Sequence, residues 1–277
     1  MRLVTFNILN GRAPTDDHVD VTALAAAVRA LDADVLALQE VDRNLPRSEH
    51  ADLTAVAAEA MGAVDQQFVA ALSGAPGATW AAATGEEQPD SAAYGIALLS
   101  RHPVLSWQVV RLPALRTRVP MKFRGDRLPT LVRDEPRVAV AALIETPSGP
   151  VTVVTTHLSF VDWWNGHQLR SLVRALPDDG PLLVTGDLNM DAARAARVSG
   201  LRPVAEAATF PADDPDRQLD HVLARGRFGV RRTSAPRAAI SDPRPLVVEL
   251  DVAGWDPVSP RGARCRGTRS SCRARRG

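Results

Sequence analysis

The residues Leu182-Leu183-Val184-Thr185-Gly186-Asp187-Leu188-Asn189 decide how this chain folds. Residues 182–185 are a short apolar run closed by a glycine, the pattern of a β-strand bounded by turn residues. Polar side chains follow at Asp187 and Asn189, and two positions apart in an extended segment they face the same way. The same order of events recurs along the chain. Asn7 follows Leu3-Val4-Thr5-Phe6, Glu40 follows Val35-Leu36-Ala37-Leu38-Gln39, and His157 follows Val151-Thr152-Val153-Val154-Thr155-Thr156. Asp220 opens the run that contains Val222-Leu223, and Asp242 precedes the last apolar run. Any one of these could be a turn or capping residue. Six are harder to assign that way, because strand ends on one edge of a sheet are where α/β folds place binding groups.

Working outward, strands are expected at 2–6, 34–39, 66–70, 95–100, 104–112, 137–145, 151–156, 182–185, 219–224, 227–234 and 246–252. Helices are expected at 21–31, 52–60 and 165–175. In the first helix Val21, Leu24, Val28 and Leu31 recur at three- and four-residue steps, one face of a helix. Many strands punctuated by a few helices predict a layered α/β architecture, two sheets packed face to face with helices outside. No fixed-period repeat and no linker interrupts residues 1–253, which read as one domain. Residues 112–135 are less regular, with Arg111, Arg116, Arg118, Lys122, Arg124, Arg127 and Arg133 among prolines. They read as a solvated surface loop or as a cationic loop that meets an anionic substrate.

Of 277 residues, 45% are hydrophobic and 23% charged, which excludes wholesale disorder and allows a sizeable core. The formal net charge of +1 hides two unlike parts. Seven of the 33 basic residues and one of the 32 acidic ones lie in 255–277, leaving 26 basic against 31 acidic residues before them. The 254–277 tail is Arg-rich, lacks apolar periodicity and is expected to be disordered. It also holds both cysteines, Cys265 and Cys272, so a thiol zinc site, a disulfide framework or a Cys nucleophile is excluded elsewhere. The chain opens directly on a strand, where an export signal would need a longer apolar stretch. No run approaches the roughly eighteen apolar residues of a membrane helix. A cytoplasmic monomer without a membrane span is the expectation.

Carboxylates and carboxamides without a thiol make a hard oxygen site, suited to Mg²⁺ or Mn²⁺ and not to Zn²⁺. A His and an Asn beside it can donate hydrogen bonds to phosphate oxygens. The spacing of Asp187 and Asn189 lets one position a water while the other holds metal or phosphate.

The set Thr5-Phe6-Asn7, Leu38-Gln39-Glu40-Val41-Asp42, Tyr94-Gly95-Ile96-Ala97-Leu98-Leu99-Ser100-Arg101, Thr155-Thr156-His157-Leu158, Gly186-Asp187-Leu188-Asn189, Leu219-Asp220-His221-Val222-Leu223 and Ser241-Asp242 resembles the endonuclease/exonuclease/phosphatase (DNase-I-like) superfamily. The motifs fall in that family's order over residues 2–252. The resemblance implies a four-layer sandwich of two mixed β-sheets flanked by helices. It also implies metal-dependent hydrolysis of phosphate esters, whether nucleic acid, phospholipid or inositol phosphate. Carried over by position, Asn7 and Glu40 look like metal ligands with Asp242 near the same Mg²⁺ (or Mn²⁺). Asp187 looks like the residue that orients or deprotonates the attacking water. Asn189 and His157 look like phosphate contacts, Tyr94 like a substrate-binding residue, and Asp220 like the carboxylate that orients a catalytic histidine.

That histidine is missing. The family's last motif is Ser-Asp-His, and this chain reads Ser241-Asp242-Pro243. Proline can neither protonate a leaving group nor donate a hydrogen bond to phosphate. His221 adjoins Asp220 but, as its strand neighbour, is expected to face away. Arg244 could reach a phosphate oxygen but cannot shuttle protons near neutral pH. His102 and His167 lie in an expected turn and helix, where surface or packing roles suffice. Three functions follow as alternatives: a metal-dependent phosphoesterase slowed by Pro243, an inactive relative that binds metal or a phosphorylated ligand, and a nucleic-acid-binding protein acting through its Arg-rich tail.

Overall fold

A computed structural model describes residues 1–13, 18–75, 80–121 and 128–252. The chain begins with β1 (Arg2–Asn7), α1 (Val21–Leu31), β2 (Val35–Arg43), α2 (Leu53–Met61), β3 (Asp65–Gly74), β4 (Trp80–Ala82) and β5 (Ala93–Ser100). It continues through β6 (Val104–Arg111), β7 (Arg118–Met121), β8 (Thr130–Arg133), β9 (Val138–Thr146), β10 (Gly149–His157), α3 (Asp162–Ala175) and β11 (Leu182–Asp187). It closes with α4 (Ala192–Ser199), β12 (Arg202–Pro203), β13 (Asp220–Arg225), β14 (Phe228–Ser234) and β15 (Leu246–Val252). One sheet has seven strands in the order β14-β15-β1-β2-β5-β3-β4. The other has six, β12-β13-β11-β10-β9-β6, while β7 and β8 pair only with each other.

Three apolar layers explain why the inner strands are almost continuously hydrophobic. Leu3, Val35, Leu98, Val140, Val153, Leu183 and Leu246 pack between the two sheets. Their neighbours Val4, Leu36 and Val247 point the opposite way, onto Leu24, Val28, Ala57 and Met61 of α1 and α2. On the other sheet, Val154, Leu182, Val184 and Leu223 meet Leu169 and Leu172 of α3 and Ala195 of α4. Alternation along a strand thus fills an inner and an outer layer at once. Each large aliphatic side chain so buried contributes about 1.5–3 kcal/mol. The result is helices, sheet, sheet, helices: the four-layer sandwich that the motifs implied.

Local signals set the helix ends. Asp20 accepts from the Ala23 amide at the start of α1, Asp52 from Thr54 and Ala55 at the start of α2, and Asp191 from Arg194 at the start of α4. α2 and α4 stop at Gly62 and Gly200, both with left-handed φ. A buried polar bridge links the two sheets. Gln39 Nε2 on β2 donates to Thr155 Oγ1 on β10 (2.9 Å) and to Thr5 Oγ1 on β1 (3.1 Å), all three fully buried.

Several expectations need amendment. β2 runs on to Arg43, so Glu40 does not end a strand; it sits in a β-bulge between Gln39 and Val41. The 112–135 loop contains the hairpin β7–β8, while Lys122, Arg124, Arg127 and the 254–277 tail lie outside the described residues. The helix α4 and the short strands β4 and β12 had no counterpart in the expected elements. Among the described residues, no helix is long and apolar enough to cross a membrane.

Gly186 shows why a glycine stands before Asp187. Its φ is +132°, and an added Cβ would lie 1.9 Å from the Thr156 carbonyl oxygen of the adjoining strand. Gly186→Ala is expected to destabilise the protein by about 3 kcal/mol or more. Urea unfolding measures this, and a loss below about 1 kcal/mol would contradict the tight pairing of β10 with β11.

Candidate active site

The site forms where parallel strand pairs from both sheets end. β1 pairs in parallel with β2, placing Asn7 opposite Gln39; β10 pairs in parallel with β11, placing His157 opposite Asp187. Carboxyl ends of parallel strands are the usual binding edge of α/β folds. Here two such edges face one another across the sandwich. Asn7 Nδ2 spans the gap, donating to Glu40 Oε1 of its own sheet (2.9 Å) and to Asp187 Oδ2 of the other (3.3 Å).

Each polar group reaches the gap by a local device. The bulge at Glu40, with φ +56°, breaks the two-residue alternation of β2. Gln39 therefore stays between the sheets while Glu40 turns into the cleft. Asn189 was expected to face as Asp187 does through extended backbone. It lines the same cleft, but by a turn: its φ is +50°, its amide donates to Asp187 Oδ1 (3.1 Å), and its Nδ2 donates to the Leu158 carbonyl (3.0 Å). Asn is one of the few non-glycine residues that accept this backbone. Ser241, with φ +72°, bonds through its hydroxyl to the Asn7 carbonyl, and so docks Asp242 against the end of β1.

The cleft has a volume of about 880 Å³. It brings together Asn7, Glu40, Tyr94, His157, Asp187, Asn189 and Asp242, with Pro243 beside them. Two expected residues, Asp220 and Arg244, do not line it, and His221 faces away as expected. Asp220 is fully buried beneath, where Oδ2 accepts from the Thr209 hydroxyl (2.7 Å) and Oδ1 has no hydrogen-bond partner. His221 turns away, its Nε2 on the Met190 carbonyl at 2.7 Å. Arg244 is drawn onto the carbonyls of Ala212 (2.6 Å) and Asp213 (3.1 Å), away from the substrate role expected of it. The physical reason is proximity: the Ala212 and Asp213 carbonyls lie within reach of its guanidinium, the latter also accepting from Arg237 Nη2 (3.0 Å).

Lining residues that sequence reasoning did not single out include Asn10, Arg47, Glu135, Arg137, Trp80, Phe160, Phe210 and Arg217. Arg47 holds buried Asp42 through Nε and Nη2, both at 2.7 Å, and lies 5.5 Å from the centre of the Tyr94 ring. Arg217 covers Phe210 at 4.7 Å. Arg133 and Val132 of β8 also line the cleft.

Burial governs the protonation of the cleft. It raises Glu40, against the opposing hydrogen bond from Asn7. It raises Asp187 to about 6, again against Asn7 and the Asn189 amide. Asp220 is pushed well up by burial and then by the charge of Asp187. His157 is pushed well down by burial and the Arg137 charge, so it is neutral at pH 7. Its Nε2 lies 3.7 Å from Asp187 Oδ2, too far for a hydrogen bond.

Neither Glu40 nor Asp187 has a lysine or arginine in ion-pair contact among the described residues, although the two acids share one amide. Hard oxygen donors with raised proton affinity and no cationic partner fit a divalent cation of the Mg²⁺ type. Such an ion is commonly held by one or two carboxylates, with water and substrate phosphate completing its shell. Among the described residues, no group of three His, Cys, Asp or Glu side chains is gathered at metal-binding spacing.

A helix-flanked double sheet with a polar cleft at its strand ends defines a DNase-I-like α/β sandwich. The chain belongs to the endonuclease/exonuclease/phosphatase family, whose model matches residues 4–242. It is similar to the endonuclease/exonuclease/phosphatase from Beutenbergia cavernae, with 25% identity, a TM-score of 0.69, and coverage of 91% of this chain and 72% of that one. It is similar in fold to a mannosyl-6-phosphatase from Bacteroides thetaiotaomicron, with 15% identity, a TM-score of 0.64, and coverage of 91% and 100%. It also shares its fold with the human Nocturnin catalytic domain, solved with a bound sulfate anion (16% identity, TM-score 0.59, 91% and 93%). No curated protein matches the chain in sequence.

Proposed function

We propose that the protein is a divalent-metal-dependent hydrolase of phosphate esters, acting in this cleft by attack of water on phosphorus. The observation that carries the reading is the convergence of Asn7, Glu40, His157, Asp187, Asn189 and Asp242, from separate segments, on one open cleft. Glu40, with Asn7 and Asp242, would hold a Mg²⁺ or Mn²⁺ ion. That ion, when bound, polarises a phosphoryl oxygen and offsets the charge that develops there.

The remaining roles belong to this chain's side chains. Asp187 accepts a proton from the attacking water, for which a carboxylate near 6 is well matched at neutral pH. Neutral His157 donates one ring N–H to a non-bridging oxygen. The Asn189 side chain lies at the same edge, ready to exchange its bond with Leu158 for one to the phosphate. As the new O–P bond forms, the ester O–P bond breaks, and the leaving oxygen takes its proton from solvent because position 243 carries no acid. Nucleic acid, phospholipid and inositol phosphate remain the candidate substrates.

A panel of phosphodiesters and phosphomonoesters tests the reading. Turnover with Mg²⁺ or Mn²⁺ is expected, with loss in excess chelator and at least a 10³-fold fall in Glu40→Ala, on the order expected for losing metal-assisted charge stabilisation. No turnover of any ester would sink it. The unpartnered Oδ1 of Asp220, together with a proline at 243, favours a second reading, an inactive protein that binds metal or a phosphorylated ligand. That reading is supported by metal-dependent thermal stabilisation without turnover.

A further inference from the structure

Among the described residues, one buried cation lining the cleft has no side-chain hydrogen bond. Arg137, immediately before β9, is 7% exposed, lines the cleft, and has an Nε with no partner. Its Nη2 lies 3.6 Å from Asp134 Oδ1 and 3.6 Å from Glu135 Oε2. These are ion-pair distances, too long for hydrogen bonds. Asp134 is buried as well, and neither of its oxygens has a hydrogen-bond partner.

The other arginines at or near the cleft are differently placed. Arg47 is committed to Asp42 by two short bonds, Arg244 to two carbonyls, Arg133 is exposed, and Arg217 is 61% exposed. Arg137 is therefore the one described cleft arginine that combines burial with unused donors. Its charge is felt by His157, Glu40 and Asp187, which places it among the central groups of the cleft. Leaving guanidinium donors buried and unbonded is costly unless a ligand takes them. A planar fork of N–H groups matches two oxygens of one phosphoryl group.

We propose that Arg137 binds the substrate phosphate, its fork engaging two non-bridging oxygens and stabilising the charge that builds there during displacement. The proposal rests on the phosphoesterase reading for its substrate, and it supplies the electrostatic part of what Pro243 cannot. Asp134 and Glu135 act as positioning residues, holding the guanidinium by charge without occupying its donors. Proton donation to the leaving oxygen is not restored, since a guanidinium stays charged at any working pH.

Orthophosphate is the probe, titrated calorimetrically into the full-length protein with Mg²⁺ present. Arg137→Gln is expected to weaken phosphate binding at least about tenfold, and to lower kcat/KM about 10²–10³-fold on any ester turned over. Because Arg137→Gln strands the Asp134 charge, the charge-balanced Arg137→Gln/Asp134→Asn is measured beside it. If Arg137 served only to neutralise Asp134, the double variant would recover both stability and phosphate affinity, and the proposal would fail. It stands if the double variant recovers its unfolding midpoint but not its phosphate affinity, with Arg137→Lys intermediate. A parent that binds no orthophosphate also overturns it. Arg137-dependent phosphate binding without turnover would remove the hydrolase reading and keep this one; turnover with Arg137-independent phosphate binding would do the reverse.

Discussion

Pro243→His is expected to raise turnover by about 10²–10⁴-fold, the usual contribution of a positioned acid or base. That equals roughly 3–5 kcal/mol of barrier. The site is prepared for it. Arg244 donates its amide to the Thr209 carbonyl (2.8 Å), and the Thr209 hydroxyl donates to Asp220 Oδ2, which ties the chain at 243 to the neighbourhood of that carboxylate. The other oxygen, Oδ1, is buried with no partner. An imidazole at 243 would give Asp220 an N–H to accept and turn its second nitrogen to the cleft, where Pro243 already lies. Asp220, raised by burial, would be drawn back toward its ionised form by the imidazolium. Side-by-side kcat measurements with Mg²⁺, over pH 5 to 9, provide the check. A new falling limb on the alkaline side of the pH profile should accompany the gain, since a proton donor is lost as pH rises through its pKa. An unchanged rate in an already fast parent would mean that another group protonates the leaving oxygen.

Asp187→Asn is expected to separate activity from stability. Losing the proton acceptor should cut kcat by about 10²–10⁴-fold. The metal-free fold should become more stable at the same time. The folded-state pKa of Asp187 is about 6, above the ordinary value of 3.8, so the folded protein binds this proton more tightly than the unfolded chain. Stability is therefore greatest below about pH 4 and is eroded as pH rises through 6. Two units correspond to about 3 kcal/mol at pH 8. An asparagine escapes that cost but keeps only one acceptor for the Asn7 and Asn189 donors, losing about 1 kcal/mol. A net gain of about 1–2 kcal/mol is expected in chelator at pH 8, shrinking toward pH 5. Thermal unfolding at the two pH values measures it, and a variant less stable than its parent at pH 8 would refute the burial argument.

How much of this was legible in the sequence depends on how each group reaches its place. β11 was readable because Leu182-Leu183-Val184 is a buried apolar run, and β15 because Leu246-Val247-Val248 opens it before Glu249 and Asp251 alternate with Leu250 and Val252. Asn7, His157 and Asp187 were readable because a polar residue ends such a run. Glu40 was readable in the same way, as the polar residue after Val35-Leu36-Ala37-Leu38-Gln39, but the bulge that aims it follows no periodicity. Asp187 and Asn189 share a cleft for a reason other than the expected alternation, because the chain turns left-handed at 189. α4 was overlooked since Ala192-Ala193-Arg194-Ala195-Ala196-Arg197 carries no large apolar stripe, although Asp191 and Gly200 cap it. Arg137 gave no signal of its own: an arginine at a strand entrance is ordinary until burial and the neighbouring Asp134 are seen together.

The polar bridge from Gln39 to Thr5 and Thr155 has a mechanical consequence. Half of the candidate site rides on one sheet and half on the other, so the separation of Asn7 from Asp187 is set by how the sheets lie, not by either sheet alone. Apolar faces resist separation but slide over one another with little change in contact area, since their attraction has no preferred direction. Directional bonds do resist sliding. One glutamine anchored to both sheets therefore acts as a shear pin, fixing the lateral registry of the two slabs through threonines two residues before Asn7 and His157.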